Sequence, residues 1–300
     1  MSYKELSYED LGECISSIDF SPQGDYMAAG LIDEKVIVWK TDFTAQQSLE
    51  EAYRWDGHSM GVIDVKFNNL GNRLAVSSLD SHIRVWDLDF GSKISEVECP
   101  PMGNWKLAFL CDGKTVATSG ENGKLSTYDI QTSEKITTQD SVDVYSTAIA
   151  ASSDDKFVAS ANSNGGIFLY DIKDNWKIFK INAHNKIVRS LSFTQDCLKL
   201  VSVSDDLNAK VIDLTKMEPI MNFQGHKGNI NFVDCSPVDN KLFITCSYDK
   251  TIKLWDMNQK NCVETISYHQ DNVWAAKFNN TGTIIGSACE NGFLAFHTNK

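Results

Sequence analysis

Short apolar runs recur along the chain, and most end in an aromatic residue followed by an acid. They are Val36-Ile37-Val38-Trp39-Lys40, Ile83-Arg84-Val85-Trp86-Asp87, Leu125-Ser126-Thr127-Tyr128-Asp129 and Ile167-Phe168-Leu169-Tyr170-Asp171. Ala209-Lys210-Val211-Ile212-Asp213, Ile252-Lys253-Leu254-Trp255-Asp256 and Phe293-Leu294-Ala295-Phe296-His297 complete the series. With anchors at Trp39, Trp86, Tyr128, Tyr170, Ile212, Trp255 and Phe296, the spacings are 47, 42, 42, 42, 43 and 41 residues. Six residues before each anchor stands Asp33, Asp80, Asn122, Asn164, Asp206, Asp249 or Glu290. Short Asp and Asn side chains cap tight turns by accepting nearby backbone N–H groups. Before four of the anchors, at 27 to 29 residues, stand His58, His184, His226 and His269. Within one unit the pattern gives four strands, near 230–235, 242–247, 251–255 and 262–267. Pro, Asp, Asn and Gly separate them. No helical period of useful length competes with this reading.

A period of about 40–45 residues with four strands per unit is that of a WD-repeat propeller. The chain is therefore expected to be all-β: a seven-bladed WD40 β-propeller, four antiparallel strands per blade, forming one unit over residues 1–300. The chain stops at Lys300, three residues after the last anchor dipeptide, so the seventh unit lacks a fourth strand of its own. Residues 3–8, Tyr3-Lys4-Glu5-Leu6-Ser7-Tyr8, alternate like a strand and are expected to supply it. Closure would remove a free sheet edge.

The repeat changes how the polar residues read. His58, Ser78, Asp80 and Trp86 form one set in register; His226, Ser247, Asp249 and Trp255 form another; His184, Ser204 and Asp206 match, with Ile212 unable to donate. Buried polar groups need partners, and a satisfied network fixes register. These sets are thus expected to be structural hydrogen-bond chains rather than catalytic groups. No phosphate loop or H-E-x-x-H occurs; Gly57-His58-Ser59-Met60-Gly61 fits G-x-S-x-G as a string, but it falls inside the histidine register of the repeat, and Asn122-Gly123, Asn291-Gly292 and Asp112-Gly113 read as hairpin turns. No enzyme activity and no cofactor are expected.

Composition narrows the partners. The chain has 300 residues and a net charge of −12. With no basic run, direct nucleic-acid binding and anionic-membrane binding are not expected. Eight cysteines show no metal or disulfide spacing and read as small buried hydrophobes in a reducing compartment, with no metal. Met1 to Asp10 is polar and acidic, unlike a targeting peptide. The expected location is cytoplasmic and nuclear.

Loops with histidines and turns with acids must share one end of the propeller if these residues meet. Near the channel mouth at that end, one position per unit starts the innermost strand: Ser16, Ile63, Trp105, Tyr145, Arg189, Asn231 and Trp274. Trp, Tyr and Arg are enriched in binding hot spots. A partner is expected to dock on this rim, with Tyr248 and Asp205 extending it. The competing reading is that Trp105 and Trp274 fill space between blades.

Several loops carry a finer resemblance. Gly57-His58-Ser59-Met60-Gly61-Val62, the run Ser77 to Leu88, Trp105-Lys106-Leu107-Ala108-Phe109 and His269-Gln270-Asp271-Asn272-Val273-Trp274 resemble the superkiller protein 8 family, also called WD repeat-containing protein 61. The resemblance implies a non-catalytic subunit of the Ski complex, which assists exosome-mediated 3′-to-5′ mRNA decay. It also implies a role in the RNA polymerase II-associated factor complex in transcription elongation. The implied partners are a helical-repeat scaffold and a helicase-containing complex, joined by a monomeric propeller. The rim would grip a peptide segment of the scaffold, with Trp105, Arg189 and Trp274 matching residue types of the family rim. Other adaptor classes are less well matched. A histone-tail reader would need an acidic or aromatic-lined channel, and the rim offers Arg189. A ubiquitin-ligase receptor would carry Trp-Asp-x-Arg, which is missing. A G-protein β-like scaffold would be preceded by a coiled-coil helix.

Overall fold

The computed structural model describes residues 3–42, 48–101, 103–120, 123–140 and 144–299. Within them lie twenty-eight strands in seven four-stranded antiparallel sheets. Six sheets run in simple chain order, as an up-and-down meander requires. The seventh has the order β1-β28-β27-β26, where β1 is Lys4–Asp10, β26 Val273–Phe278, β27 Ile284–Cys289 and β28 Phe293–Thr298. The N-terminal strand thus completes the last blade, antiparallel to β28, with Lys4 opposite Thr298 and Asp10 opposite Phe293.

The ring closes through the innermost strands. These are β2 (Ile15–Phe20), β6 (Val62–Phe67), β10 (Lys106–Phe109), β14 (Ser146–Ala151), β18 (Val188–Phe193), β22 (Ile230–Cys235) and β26. Each packs on the next, and β26 returns to β2. The core lies between blades. Val36, Val38 and Trp55 of the first blade bury against Val65, Leu74, Val76 and Trp86 of the second. Ile15, Ile18 and Trp39 of the first bury against Ile284, Leu294 and Phe296 of the seventh. Burial of apolar area at each seam favours the closed ring by about 25 cal/mol per Å².

The latch is held by more than its ladder. The Tyr3 amide donates to both carboxylate oxygens of Glu264 (2.8 and 3.0 Å), and the Tyr3 hydroxyl donates to the Gly282 carbonyl. Tyr8 stacks on Phe293, and Tyr268 donates to Glu5. All eight cysteines are free. Cys99, Cys235, Cys246 and Cys289 are buried, but Cys14, Cys111, Cys197 and Cys262 are only half-buried, so the expectation of burial holds for half of them.

Candidate partner-docking site

Blade six shows what the repeated polar residues do. Trp255 Nε1 donates to Thr245 Oγ1 (2.8 Å), which lies 2.7 Å from His226 Nε2. On its other side, His226 Nδ1 lies 2.8 Å from Asp249 Oδ2. Asp249 also accepts from the Lys227 and Thr251 amides and the Thr251 hydroxyl. Burial lowers the His226 pKa and so favours the neutral ring. Burial opposes ionisation of Asp249, but the hydrogen bonds from His226 and Thr251 prevail and hold its carboxyl well below the usual range. Every member of this chain has a partner, which is what a buried polar network needs in order to stabilise.

The other sets depart from the expected form in three ways. First, the hydroxyl in the chain is not the expected serine. In blade six it is Thr245, and in blade five Ser202 lies 2.8 Å from His184 Nε2, while His184 Nδ1 meets Asp206 at 2.9 Å. Ser78, Ser204 and Ser247 sit two residues further on, at the turn. Each accepts the amide of Asp80, Asp206 or Asp249 and donates to a loop carbonyl of Met60, Lys186 or Gly228. Strand alternation explains this: the member facing His and Trp lies on the same sheet face two residues earlier.

Second, His58 and Asp80 do not meet directly. Arg84 Nη1 bridges them, 2.9 Å from His58 Nδ1 and 2.7 Å from Asp80 Oδ2. Val76 stands where blade six has Thr245, so His58 Nε2 and Trp86 Nε1 have no hydrogen-bond partner among the described residues. Burial pushes the His58 pKa down to about 4.

Third, the last unit is shifted by one residue. His297 pairs with Ile285 as Trp255 pairs with Phe243, and His269 Nε2 meets Ser287 Oγ at 2.7 Å. His297, not Phe296, is therefore the anchor. Asn291, not Glu290, caps the turn by accepting from the Phe293 amide. Glu290 instead accepts from Asn272 Nδ2. Asn122, the corresponding cap of the third unit, lies outside the described residues.

The rim residues share a backbone feature that the sequence does not display. In six blades the innermost strand has a register shift between its first and third residues. The residue skipped is Ser16, Ile63, Thr147, Arg189, Asn231 or Trp274. In the third blade, Trp105 directly precedes β10. A bulge leaves its extra residue outside the ladder and re-aims its side chain, here to the channel mouth. Tyr145 is thus not the rim position of blade four; Thr147 is, and it donates to the Val188 carbonyl. Without a loop histidine to count from, the position slips by two. Tyr145 still reaches the site from the preceding loop, edge-on to Trp105 at 5.6 Å.

These side chains line one funnel of about 540 Å³. Ser16, Ile63, Trp105, Tyr145, Thr147, Arg189, Asn231 and Trp274 are all on its wall, with Ile32, Leu79 and Ile187 adding apolar surface and Lys106 and Phe232 further in. Trp105 and Trp274 are half-buried on this wall and are not among the core side chains between blades. Arg189 is fixed by two bonds to Asp205, at 2.6 and 2.9 Å, and lies over the Tyr248 ring. Tyr248 in turn meets Trp274 edge-on at 5.4 Å. The wall is therefore pre-ordered, which lowers the entropy lost on binding.

Deeper in the channel the chemistry changes to paired charges. Asp64 accepts from Ser17 and Leu107 and lies 3.3 Å from Lys66 and 3.6 Å from Lys106. Lys277 sits between Asp19 (3.3 Å) and Asp234 (3.2 Å). Asp19 and Asp234 also accept amides of the next blade, at Phe67 and Phe278, so they staple neighbouring sheets. Among the described residues no group of three His, Cys, Asp or Glu could hold a metal ion, and no helix is long and apolar enough to cross a membrane.

A ring of seven four-stranded blades around a channel with an apolar, aromatic mouth defines a β-propeller. The WD domain, G-beta repeat family model matches residues 7–40, 49–87, 175–213, 217–256 and 260–296. These segments make up more than half of the chain, which therefore belongs to that family. The unmatched stretch contains blade three and the first three strands of blade four, whose anchors are Tyr128 and Tyr170 and whose loops lack the histidine. Among curated relatives, Set1 complex component swd2 of Schizosaccharomyces pombe is 33% identical over 89 residues, 30% of this chain and 24% of that protein. U3 small nucleolar RNA-associated protein 15 homolog of Xenopus laevis is 33% identical over 91 residues, 30% of this chain and 18% of that protein. Methylosome protein WDR77 of Xenopus laevis is 29% identical over 85 residues, 28% of this chain and 26% of that protein. The matched stretch spans about a quarter or less of the length of these relatives.

Proposed function

We propose that the protein is a non-catalytic docking platform that holds a segment of a partner protein in the funnel at its histidine-bearing end. The observation that carries this reading is the convergence of the bulge residues. The repeat makes the blades alike almost everywhere, yet the rim position carries six residue types over seven blades: Ser16, Ile63, Trp105, Thr147, Arg189, Asn231 and Trp274. Variation at one aligned, partly exposed position is expected of a binding surface, where large aromatic and Arg side chains carry most of the energy. Trp105, Tyr145, Arg189, Asn231, Tyr248, Trp274 and Ile63 are the contact residues of this proposal.

The assembly we propose is the Ski complex, serving exosome-mediated mRNA decay in the cytoplasm, with a second role in the nuclear RNA polymerase II-associated factor complex. The loop segments Gly57–Val62, Trp105–Phe109 and His269–Trp274 support it. The names of relatives such as a Set1 complex component agree with the coarser idea of a subunit in a larger assembly. Affinity purification of the tagged chain with mass spectrometry tests this reading. Recovery of a helicase and a helical-repeat scaffold is expected; cullin subunits or histone-tail peptides in their place would overturn it.

A further inference from the structure

The charges in the funnel run against those of the protein as a whole. The chain carries 40 acidic and 28 basic residues. Yet the charged residues on the described funnel wall are Lys106 and Arg189, and no Asp or Glu lines that wall. Arg189 is answered by Asp205 at hydrogen-bond distance. Lys106 is not answered as well. Among the described residues its ammonium has only long contacts, 3.4 Å to the Ile63 carbonyl and 3.6 Å to Asp64. Asp64 is at the same time shared with Lys66 and already accepts from Ser17 and Leu107. One carboxylate between two ammoniums leaves a positive charge in excess. The balancing negative excess, Asp19 and Asp234 around Lys277, lies on the lower channel wall, which Lys66, Asp64 and Lys106 also line; of these six only Lys106 also reaches the funnel. A buried charge with weak partners is an energetic liability that a ligand of opposite charge relieves.

The geometry points to an acidic side chain, Asp or Glu, flanked by bulky apolar residues, as the group that the partner inserts. The apolar neighbours would cover Ile32, Ile63, Leu79, Trp105 and Trp274, and the carboxylate would reach Lys106 at the floor. This assignment rests on the docking reading above and names what is docked. Desolvation of the pair inside an apolar wall makes it selective against a neutral or basic segment.

Selection of random dodecapeptides displayed on phage against the full chain tests it. Selected sequences are resynthesised as C-terminal amides, so that only a side-chain carboxylate can serve. Asp or Glu among large apolar residues is expected in the selected set. Changing that acid to its amide should weaken binding at least about tenfold. Lys106→Met should produce the same loss and abolish the difference between acid and amide peptides, whereas Lys106→Arg should keep it. The peptide-side comparison uses the unaltered protein and stands even if Lys106→Met folds poorly. Peptides that lose binding on Trp274→Ala but carry no acid, or bind acid and amide forms alike, would overturn the carboxylate assignment and leave the docking reading intact. Loss of binding on C-terminal amidation alone would likewise overturn it. Failure to select any peptide sensitive to Trp274→Ala would overturn both.

Discussion

Blades six and seven are neighbours built on one pattern, and they are held together differently. Blade six is continuous in sequence and has the full relay of Trp255, Thr245, His226 and Asp249. Blade seven joins the two ends of the described chain and has lost half of that relay. Its anchor is His297, its cap is Asn291, and His269 Nδ1 and His297 Nε2 have no partner among the described residues. Burial lowers the pKa of both rings to about 4. What replaces the relay is the latch: the β1–β28 ladder, Tyr3 on Glu264 and Gly282, Tyr8 on Phe293, and Tyr268 on Glu5. The relay is thus one means of fixing a blade, and strand donation is another.

The comparison breaks most visibly at the latch. Deleting residues 1–9 should lower the melting temperature by about 5 °C or more, since several kcal/mol are lost and each shifts a chain of this size by about 2 °C. An unchanged melting curve would mean that blade seven does not depend on β1.

Acid should separate the two blades next. The unfolded histidine binds protons below its ordinary value of 6.5, whereas His269 and His297 resist protonation until about 4. The unfolded state therefore holds more protons in this window. Stability is fully present above pH 6.5 and falls as pH drops toward 4, by up to about 1.4 kcal/mol per pH unit for each ring. Blade six has one such ring, His226, whose pKa burial also lowers but whose bond to Asp249 opposes the shift, against two in blade seven, so hydrogen exchange measured between pH 6.5 and 4 should show β28 opening before β24 (Ile252–Asp256). Equal loss of protection in both strands would contradict the account.

The smallest effect sharpens the relay itself. Val76→Thr in blade two would offer a hydroxyl to His58 Nε2 and Trp86 Nε1, both unsatisfied among the described residues. A gain of about 1 kcal/mol in chemical denaturation is expected; a loss would show that Arg84 has already replaced the relay.

Much of this was legible in the sequence. An aromatic-acid dipeptide after an apolar run, repeated at a near-constant spacing, predicts strands, blades and their number, because each strand must alternate and each turn must be capped. The shift in the last unit was also within reach. Asn291-Gly292 repeats Asn122-Gly123, and His297 restores the 28-residue distance from His269 that holds between His58 and Trp86. Phe296 hid it, since an aromatic residue looks like an anchor whichever face of the strand it occupies. The bulges were not legible. A skipped residue changes backbone pairing without requiring any particular side chain, so Thr147 gave no sign that it, rather than Tyr145, holds the rim position. Arg84 between His58 and Asp80 was hidden for a similar reason: an alternating strand places it there only once the loop has folded over it.

The rim and the relay are assigned different work, and one paired measurement separates them most directly. Trp274→Ala and Asp249→Ala are compared for melting temperature and for partners recovered by affinity purification. Trp274→Ala should lose the partners with a small change in stability. Asp249→Ala should cost about 1–3 kcal/mol while the folded protein keeps its partners. Unfolding on Trp274→Ala, or partners lost on Asp249→Ala from a protein that remains folded, would contradict the account.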